Sequence, residues 1–226
     1  MNSKRHDVVL EAVAAGEQRL SVEQAMTLYH RASLRELGRW ATAVADRIHG
    51  DRVRTYVKDR NVNYTNVCSA SCTFCAFYRR LDDDSAYTLD QLQLHEKVAE
   101  LVEAGGSQIL LQGGMHPELP LSFYEQMLSD LKAAFPKVHL HAFSPPEFVE
   151  FVAVFDLDGF PTPGPGRAGE LAAETFDRKL EEIMRRLMAA GLASVPGGGG
   201  EIFAPHVRDR IGLGKATADQ WLTVMR

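Results

Sequence analysis

The sequence predicts an α/β fold in which a helical segment over residues 1–52 precedes a partial (β/α) barrel over residues 53–226. Two observations predict this fold. Strand-like runs alternate with amphipathic helical patterns four times along the chain, as in parallel sheets whose strands are joined by right-handed helical crossovers. Glycines and reactive side chains follow these runs, and the carboxyl ends of the strands are where parallel α/β folds place their chemistry.

The first fifty residues carry apolar side chains at helical spacing. The stretch SVEQ, from Ser21 to Gln24, has the residues of a capping box, in which the Ser hydroxyl and the Gln amide satisfy free backbone groups. A longer helical pattern runs from Leu34 through Trp40 and ends near Gly50. We therefore expect this segment to form a helical lead-in.

Four strands are predicted in the barrel: VRTYV from Val53, SQILLQGG from Ser107, KVHLHAF from Lys137 and SVPGGGGEIF from Ser194. The stretches between them have apolar residues at i, i+3 and i+4 spacing, which is typical of helices that bury one face. The first of these helices is expected to begin at a capping box, TLDQ from Thr88. Glycines or a proline follow each helical pattern and end it.

Two stretches break this rhythm. Residues 156–170, DLDGFPTPGPGRAGE, are rich in proline and glycine and predict an irregular loop, either a surface excursion or a lid over the site. A capping box from Thr217 to Gln220 then begins a helix, and the sequence ends six residues after Gln220. Because four parallel strands would leave two bare barrel edges, we expect the last strands of the barrel to be missing from this chain.

The composition and charge of the chain argue against nucleic-acid binding and membrane insertion. A chain of 226 residues with 45% hydrophobic residues can bury one sizeable core. The net charge of -5 and the lack of a basic block predict no nucleic-acid partner. No apolar run approaches the roughly 20 residues of a membrane span, so we expect a cytoplasmic protein without a membrane partner.

All three cysteines lie within eight positions, as Cys68-x3-Cys72-x2-Cys75. In a reducing compartment, a close cluster with an odd count indicates metal binding or catalysis rather than disulfides. A structural zinc takes four protein ligands, whereas three thiolates suit a [4Fe-4S] cluster whose fourth iron is open to a small molecule. Two alternatives stay open: a zinc site completed by His116 or His141, and a metal-binding module without catalysis.

The pattern Cys68-x3-Cys72-x-Phe74-Cys75 resembles the signature of radical S-adenosylmethionine (SAM) enzymes. Further stretches resemble the dehypoxanthine futalosine cyclase family of menaquinone biosynthesis: QILLQGGMHPELP, HLHAFSPPE, VPGGGGEI and DRIGLGKATADQWLTVMR. Two close families share much of this pattern, namely aminofutalosine synthase and the tyrosine-using half of deazaflavin (FO) synthase. The pairing of QGG with HAFSPPE favours the cyclase.

The resemblance implies a radical SAM barrel with a [4Fe-4S] cluster and SAM as cofactors, and an electron donor such as flavodoxin or ferredoxin. In the family, a 5′-deoxyadenosyl radical takes a hydrogen from the ribose C4′ of dehypoxanthine futalosine, a small-molecule substrate. The carbon radical attacks the benzoate ring of the same molecule, and loss of an electron and a proton gives the cyclic product. The protein binds, orients and excludes water, while the cofactors carry the difficult chemistry.

The resemblance also assigns roles in cofactor binding. The predicted cluster ligands are Cys68, Cys72 and Cys75. Phe74 is expected to pack against the SAM adenine, with plain core packing as the alternative. Glu201 is expected to accept hydrogen bonds from the ribose hydroxyls of SAM, with a solvated loop acid as the alternative. Gly113 and Gly114 have no side chains, so their backbone can approach the methionine part of SAM closely.

For the substrate, the predicted catalytic residues are His141 and Ser144, at the end of the third strand. An inward histidine there can hold a substrate oxygen or move a proton; a purely structural histidine is the alternative. Weaker candidates also lie near the strand ends: Asn63, Asn66, Arg79, Arg80, Gln112, His116 and Glu147. Trp221 lies on an apolar helix face and is expected to serve packing.

Overall fold

The computed structural model describes residues 3–51 and 53–226. The chain forms two compact units, Met1–Tyr56 and Val57–Arg226. Met1, Asn2 and Arg52 belong to the predicted helical segment and lie outside the described residues. The predicted boundary after residue 52 stays a prediction.

The first unit consists of three helices: α1 (Ser3–Ala15), α2 (Val22–Arg31) and α3 (Leu34–His49). The capping box predicted at Ser21 and Gln24 is confirmed at the start of α2. Helices α1 and α3 pack together, and the guanidinium of Arg47 donates a hydrogen bond of 2.7 Å to the carbonyl of Ala14. Gly50 ends α3 with φ 67, in the left-handed region that glycine adopts without steric cost.

The second unit is built on a parallel sheet of three strands: β1 (Asp59–Asn63), β2 (Gln108–Gln112) and β3 (His139–Ala142). The strand order is β1-β2-β3, and the register pairs Asn61 with Leu110 and Leu110 with His141. Helices α4 (Gln91–Glu103) and α5 (Leu121–Ala134) make the two crossovers. The carboxyl ends of all three strands therefore lie at one edge of the sheet.

The remaining helices follow β3: α6 (Pro145–Val154), a 3₁₀ turn (Ala168–Glu170), α7 (Ala173–Ala190), α8 (Pro205–Ile211) and α9 (Ala218–Met225). The capping box predicted at Thr217 and Gln220 is confirmed at α9. The box predicted at Thr88 is wrong, because Asp90 and Gln93 cap α4. The Thr88 hydroxyl instead lies 3.0 Å from the hydroxyl of Thr65. Among the described residues, no helix has the length and apolar composition needed to cross a membrane.

The two faces of the sheet differ in character. One face is buried under the helices and carries Val62, Ile109, Leu111, Leu140 and Ala142, each no more than 1% exposed. The opposite face is mostly polar and not fully buried; it carries Asp59, Asn61, Asn63, Gln108, Leu110, Gln112, His139 and His141. Burial of the apolar face drives the helices onto the sheet, and the polar face stays free for chemistry.

The first and fourth strand predictions are wrong in position and in extent. Residues 53–57 form no strand, and β1 begins at Asp59, since the pairing with β2 starts there. Its sequence, DRNVN, was inconspicuous because only Val62 meets the core. The fourth stretch contributes a single parallel bridge between Ser194 and His141, and its glycines follow an irregular path.

The proline- and glycine-rich loop is irregular, as predicted. It is nevertheless tied to the helices beside it. The N–H of Gly164 donates to the carbonyl of Ala153 at 3.0 Å, and the buried Lys179 ammonium donates to the carbonyl of Pro161 at 2.9 Å. These bonds anchor the loop along its length.

Candidate functional site

A cavity of about 300 Å³ opens at the carboxyl edge of the sheet. Its walls come from the cysteine loop, the ends of all three strands and the glycine-rich segment: Asn63, Asn66, Cys68, Cys72, Phe74, Cys75, Gln112, Gly113, Gly114, Ser144, Glu147, Gly198, Gly199 and Lys215 are among them. The structure thus brings the three cysteines together with both predicted glycines, Phe74 and Ser144. His141 and Glu201 are not part of this wall.

The backbone of the cysteine loop is fixed by other segments. Four of its N–H groups donate to distant carbonyls at 2.8–3.0 Å: Cys68 to Arg79, Ser69 to Met115, Ser71 to Leu213 and Thr73 to Ile211. The Ser69 hydroxyl also donates to Glu150 at 2.7 Å, and Glu150 accepts from the N–H of Gly166 at 3.0 Å. The loop is therefore held in place by its surroundings.

Arg79 and Arg80 fasten this loop through its carbonyl groups. The Arg80 guanidinium donates to the carbonyls of Cys68 and Ser69 at 3.0 and 2.7 Å. The Arg79 guanidinium donates to the carbonyl of Tyr78 at 2.9 Å. These contacts position the loop, and they use donors that a carboxylate substrate would otherwise require.

The three thiols are partly shielded from water and lie in different local fields. Burial raises the pKa of Cys68, which the N–H of Met115 opposes by donating to its Sγ at 3.3 Å. Burial also raises the pKa of Cys72, and the nearby Lys215 ammonium opposes that rise. Donors and a cation directed at sulfur are the surroundings that stabilise bound thiolates.

The histidines of the zinc alternative are engaged elsewhere. His116 Nδ1 accepts hydrogen bonds from the N–H groups of Glu118 and Leu119 at 3.2 and 3.3 Å. His141 Nδ1 lies 2.6 Å from the Ser194 hydroxyl. In the part of the chain that the structure describes, no group of three or more His, Cys, Asp or Glu side chains is arranged to hold a single metal ion.

Gly113 and Gly114 form a tight turn after β2. A Cβ on Gly113 would lie 2.5 Å from the Tyr64 ring, and a Cβ on Gly114 would lie 2.0 Å from the carbonyl oxygen of Val67. The Gly114 N–H donates to the carbonyl of Thr65 at 3.0 Å. Both glycines are required for this turn to pack against the segment that leads into the cysteine loop. Their predicted role toward SAM stays a prediction.

Glu147 joins the three strand ends. Its Oε1 accepts from the hydroxyl of Tyr64 at 2.8 Å and from the N–H of Gly113 at 3.2 Å. Its Oε2 accepts from the N–H and the hydroxyl of Ser144, both at 2.7 Å. Burial raises the pKa of this carboxyl to about 7 against the four donors that lower it. Glu147, one of the weaker candidates from the sequence, is thus a buried acceptor at the cavity wall and lies in the first turn of α6.

The glycine-rich segment is held by two side chains from later helices. The indole N–H of Trp221 donates to the carbonyl of Gly198 at 2.9 Å. The buried Arg208 guanidinium donates to the carbonyls of Gly199, Ile202 and Ala216 at 2.8–3.1 Å. These bonds fix Gly198 and Gly199 at the cavity wall. The prediction that Trp221 serves only packing is therefore incomplete.

Glu201 and Phe74 meet at Lys215. The Lys215 ammonium lies 2.7 Å from the Glu201 carboxylate and 5.3 Å from the centre of the Phe74 ring. Phe74 lines the cavity with 53% of its surface exposed, so one of its faces is accessible to a planar ligand. Glu201 lies beside the cavity and forms an ion pair with Lys215, which lines the cavity wall.

His141 and Ser144 point into different surroundings. Between them Phe143 has φ 59, a left-handed conformation that is uncommon for a bulky residue, and the chain turns there. Ser144 lines the cavity and gives its hydroxyl to Glu147. His141 lies on the polar face of the sheet, in register with Leu110 and therefore one same-face position below Gln112.

Sequence reasoning missed Tyr64, Ser194, Arg208 and Lys215. No local sequence motif marks them, because each contacts residues that are distant in the chain. Arg208 is the partial exception, because an arginine close to a run of four glycines is a reasonable partner for their exposed carbonyls. The others become visible only through contacts.

This site defines the class of the protein. Three cysteines at C-x3-C-x2-C spacing face a cavity at the carboxyl edge of a parallel sheet, and residues 62–226 match the Radical SAM superfamily. The chain belongs to the radical SAM superfamily. Members of this superfamily use a [4Fe-4S] cluster and SAM.

Among curated proteins, the chain is 36% identical over 220 residues to the cyclic dehypoxanthine futalosine synthase of Halalkalibacterium halodurans, which covers 97% of this chain and 54% of that protein. It is 39% identical over 180 residues to the 5-amino-6-(D-ribitylamino)uracil--L-tyrosine 4-hydroxyphenyl transferase of Methanopyrus kandleri, covering 80% and 43%. It is 34% identical over 218 residues to the aminodeoxyfutalosine synthase of Thermus thermophilus, covering 96% and 52%. The chain spans about half the length of these relatives.

Among solved structures, the chain is similar to the FeFe-hydrogenase maturase HydG from Carboxydothermus hydrogenoformans, with a TM-score of 0.50 and 16% identity. The match covers 86% of this chain and 48% of that one. This likeness concerns the fold alone, and it agrees with the predicted partial (β/α) barrel.

The residues present fit the cofactors of the superfamily. A cubane cluster binds each thiolate at a different iron, so its ligands need to face one cavity rather than one point. The three cysteines face one cavity, the N–H of Met115 is directed at Cys68 Sγ, and the adjacent walls are glycines and Phe74. These groups leave space for a small ligand beside the sulfurs.

Proposed function

We propose that the chain belongs to a radical SAM cyclase that converts dehypoxanthine futalosine to cyclic dehypoxanthinylfutalosine in menaquinone biosynthesis. The observation that carries the proposal is the cavity in which the three cysteines, the Gly113–Gly114 turn and Ser144 face one space. The similarity to the Halalkalibacterium synthase over 97% of the chain supports the substrate. An electron donor such as flavodoxin or ferredoxin belongs to the proposal.

In this proposal the chain's own residues bind and orient. Cys68, Cys72 and Cys75 would hold the cluster, which together with SAM would supply the radical chemistry of the reaction. The Gly113–Gly114 turn leaves its backbone accessible to the methionine part of SAM, and Phe74 offers a ring face to the adenine. Glu201 accepts from the ribose hydroxyls once its carboxylate turns from Lys215.

The substrate occupies the polar face of the sheet below the cavity. Ser144 marks the upper limit of this space, and His141, one layer lower, holds a substrate oxygen or takes a proton. Gln112 lies between the positions of Ser144 and His141, and its side-chain amide can bind the ribose of the substrate.

The Methanopyrus relative supports a second candidate, the tyrosine-using transferase of deazaflavin synthesis, because its identity over the aligned region is 39%. Anaerobically reconstituted protein is incubated with SAM, dithionite and either dehypoxanthine futalosine or tyrosine with 5-amino-6-(D-ribitylamino)uracil. Cyclic product from the first substrate alone supports the cyclase. Turnover with the second alone replaces it by the transferase.

The same assay is run on the chain joined to the part of the Halalkalibacterium relative that lies outside the match, because the chain spans 54% of that protein. Cys72→Ala is expected to lose the iron–sulfur absorption and 5′-deoxyadenosine formation. Thr73→Ala is the matched control within the loop, since the Thr73 side chain is exposed. A Cys72→Ala protein that still forms 5′-deoxyadenosine at the wild-type rate contradicts the ligand assignment.

A further inference from the structure

Two histidines on the polar face of the sheet share one hydroxyl group. The Ser194 Oγ lies 2.6 Å from His139 Nε2 and 2.6 Å from His141 Nδ1. The two imidazole rings are 6.3 Å apart between centroids, so they meet through the serine. His139 is exposed, and His141 is half-buried nearer the cavity.

Ser194 is placed by backbone bonds. Its carbonyl accepts from the N–H of Ala142 at 2.9 Å, and the N–H of Ala193 donates to the carbonyl of Leu140 at 3.0 Å. This is the single bridge that remains of the predicted fourth strand. This bridge places the Ser194 hydroxyl on the same face of the sheet as His139 and His141, which project from alternate positions of β3.

We propose that His141, Ser194 and His139 form a proton relay, which carries a proton from a substrate group on the polar face to water. The relay consists of these three side chains and needs no other group of the chain. Its use in turnover rests on the proposed function, in which cyclisation releases a proton.

The proton count closes at each step. The substrate proton binds His141 Nε2, which has no hydrogen-bond partner in the described part of the chain. The proton on His141 Nδ1 moves to Ser194 Oγ, and the Ser194 proton moves to His139 Nε2. His139 then releases its Nδ1 proton to water. One proton has moved from the substrate to water, and no electron has moved. Both rings are neutral again, and each now carries its proton on Nε2 instead of Nδ1.

The surroundings of His141 favour its neutral ring. Burial and the neighbouring His139 lower the pKa of His141, while Asp59 on β1 and the backbone of Ser194 act in the opposite direction. A neutral imidazole has one donor and one acceptor nitrogen, and both are needed for a proton to enter on one side and leave on the other.

The relay makes a specific prediction about tautomers. If Ser194 accepts from one ring and donates to the other, then both rings carry their proton on Nδ1, or both carry it on Nε2. Opposite tautomers break the chain, because Ser194 would then face two donors or two acceptors. Long-range ¹H–¹⁵N spectra of the ¹⁵N-histidine-labelled chain, recorded from pH 5 to 9, report the tautomers. The His139→Gln and His141→Gln variants assign the signals.

We expect matching tautomers in the wild-type chain and in Ser194→Thr, which keeps the hydroxyl. In Ser194→Ala we expect the tautomer ratio of at least one ring to change. We also expect His139→Gln to change the His141 signals less in the Ser194→Ala background than in the wild-type background. Opposite tautomers in the wild type, or no change in Ser194→Ala, overturn the relay. These spectra need neither cluster nor SAM, so failure of the relay is distinct from failure of the proposed reaction.

Discussion

The phenol of Tyr64 donates a hydrogen bond of 2.8 Å to the carboxylate of Glu147, 83 positions later in the chain. Tyr64 follows β1, and the other donors to this carboxylate, Gly113 and Ser144, follow β2 and β3. One buried side chain therefore holds the three strand ends that form the cavity wall. All four groups donate to Glu147, and two of them, the N–H groups of Gly113 and Ser144, cannot accept a hydrogen bond.

Glu147→Gln is expected to destabilise the second unit, because the amide NH2 group would face the N–H of Gly113 or of Ser144 in either orientation of the amide. The loss in free energy of unfolding should be about 1–3 kcal/mol, the cost of leaving buried polar groups unpaired. Urea unfolding followed by circular dichroism measures it. The exposed Glu96→Gln is the matched control and should change stability by less than about 0.5 kcal/mol. Equal stability of the two variants would show that the carboxylate does not hold the strand ends.

Stability should fall as pH rises from about 4.5 to 7, because the pKa of Glu147 is raised in the folded chain to about 7 from an ordinary value of 4.5. In that window the folded state binds more protons than the unfolded state, so raising the pH favours unfolding. Burial raises the pKa of Glu150 as well and adds to the contribution of Glu147. Burial lowers the pKa of His116 and of His141, and these two groups act in the opposite direction near pH 6. Melting temperatures of the cluster-free chain between pH 4.5 and 8 test this.

Glu147→Gln should weaken that pH dependence, since it removes the larger contribution. Glu96→Gln should leave it as in wild type. The idea fails if the melting temperatures of Glu147→Gln and wild type change in parallel across the whole range.

Gly114→Ala should prevent the β2 turn from packing against the approach to the cysteine loop, since the new Cβ would lie 2.0 Å from the Val67 carbonyl oxygen. We expect a loss of about 1–3 kcal/mol, typical of forcing extra atoms into a packed site, and lower iron incorporation. Gly197→Ala is the control, because its Cβ would lie 3.8 Å from Trp221, an ordinary contact. Wild-type iron content and stability in Gly114→Ala would contradict the packing argument.

Arg208→Met should loosen the glycine-rich segment, because it leaves the carbonyls of Gly199, Ile202 and Ala216 without their donor. Arg208→Lys should recover only part of the loss, since one ammonium does not span three carbonyls in different places as the guanidinium does. The expected loss is about 2–4 kcal/mol for Arg208→Met, from several bonds to a charged group. Limited proteolysis near residue 200 measures the loosening. Arg178→Met, at an exposed arginine, serves as the control.

The sequence predicted the elements that depend on neighbouring residues. The capping boxes at Ser21 and Thr217 are confirmed, since a cap needs partners only three positions away. The cysteine spacing indicated the superfamily for the same reason. The first strand was missed because Asp59–Asn63 buries one side chain, Val62, so its apolar pattern is too weak to detect.

The sequence by itself determined the class of protein, because three thiolates within eight positions and a repeated strand–helix rhythm are local patterns. Only the tertiary structure decided which groups share the cavity. Glu147 meets Tyr64, Arg208 meets Gly199, and Ser194 joins two histidines, each by contacts between segments distant in the chain. Such contacts follow from how the helices pack on the sheet, and packing depends on the sum of many weak interactions that no short stretch contains.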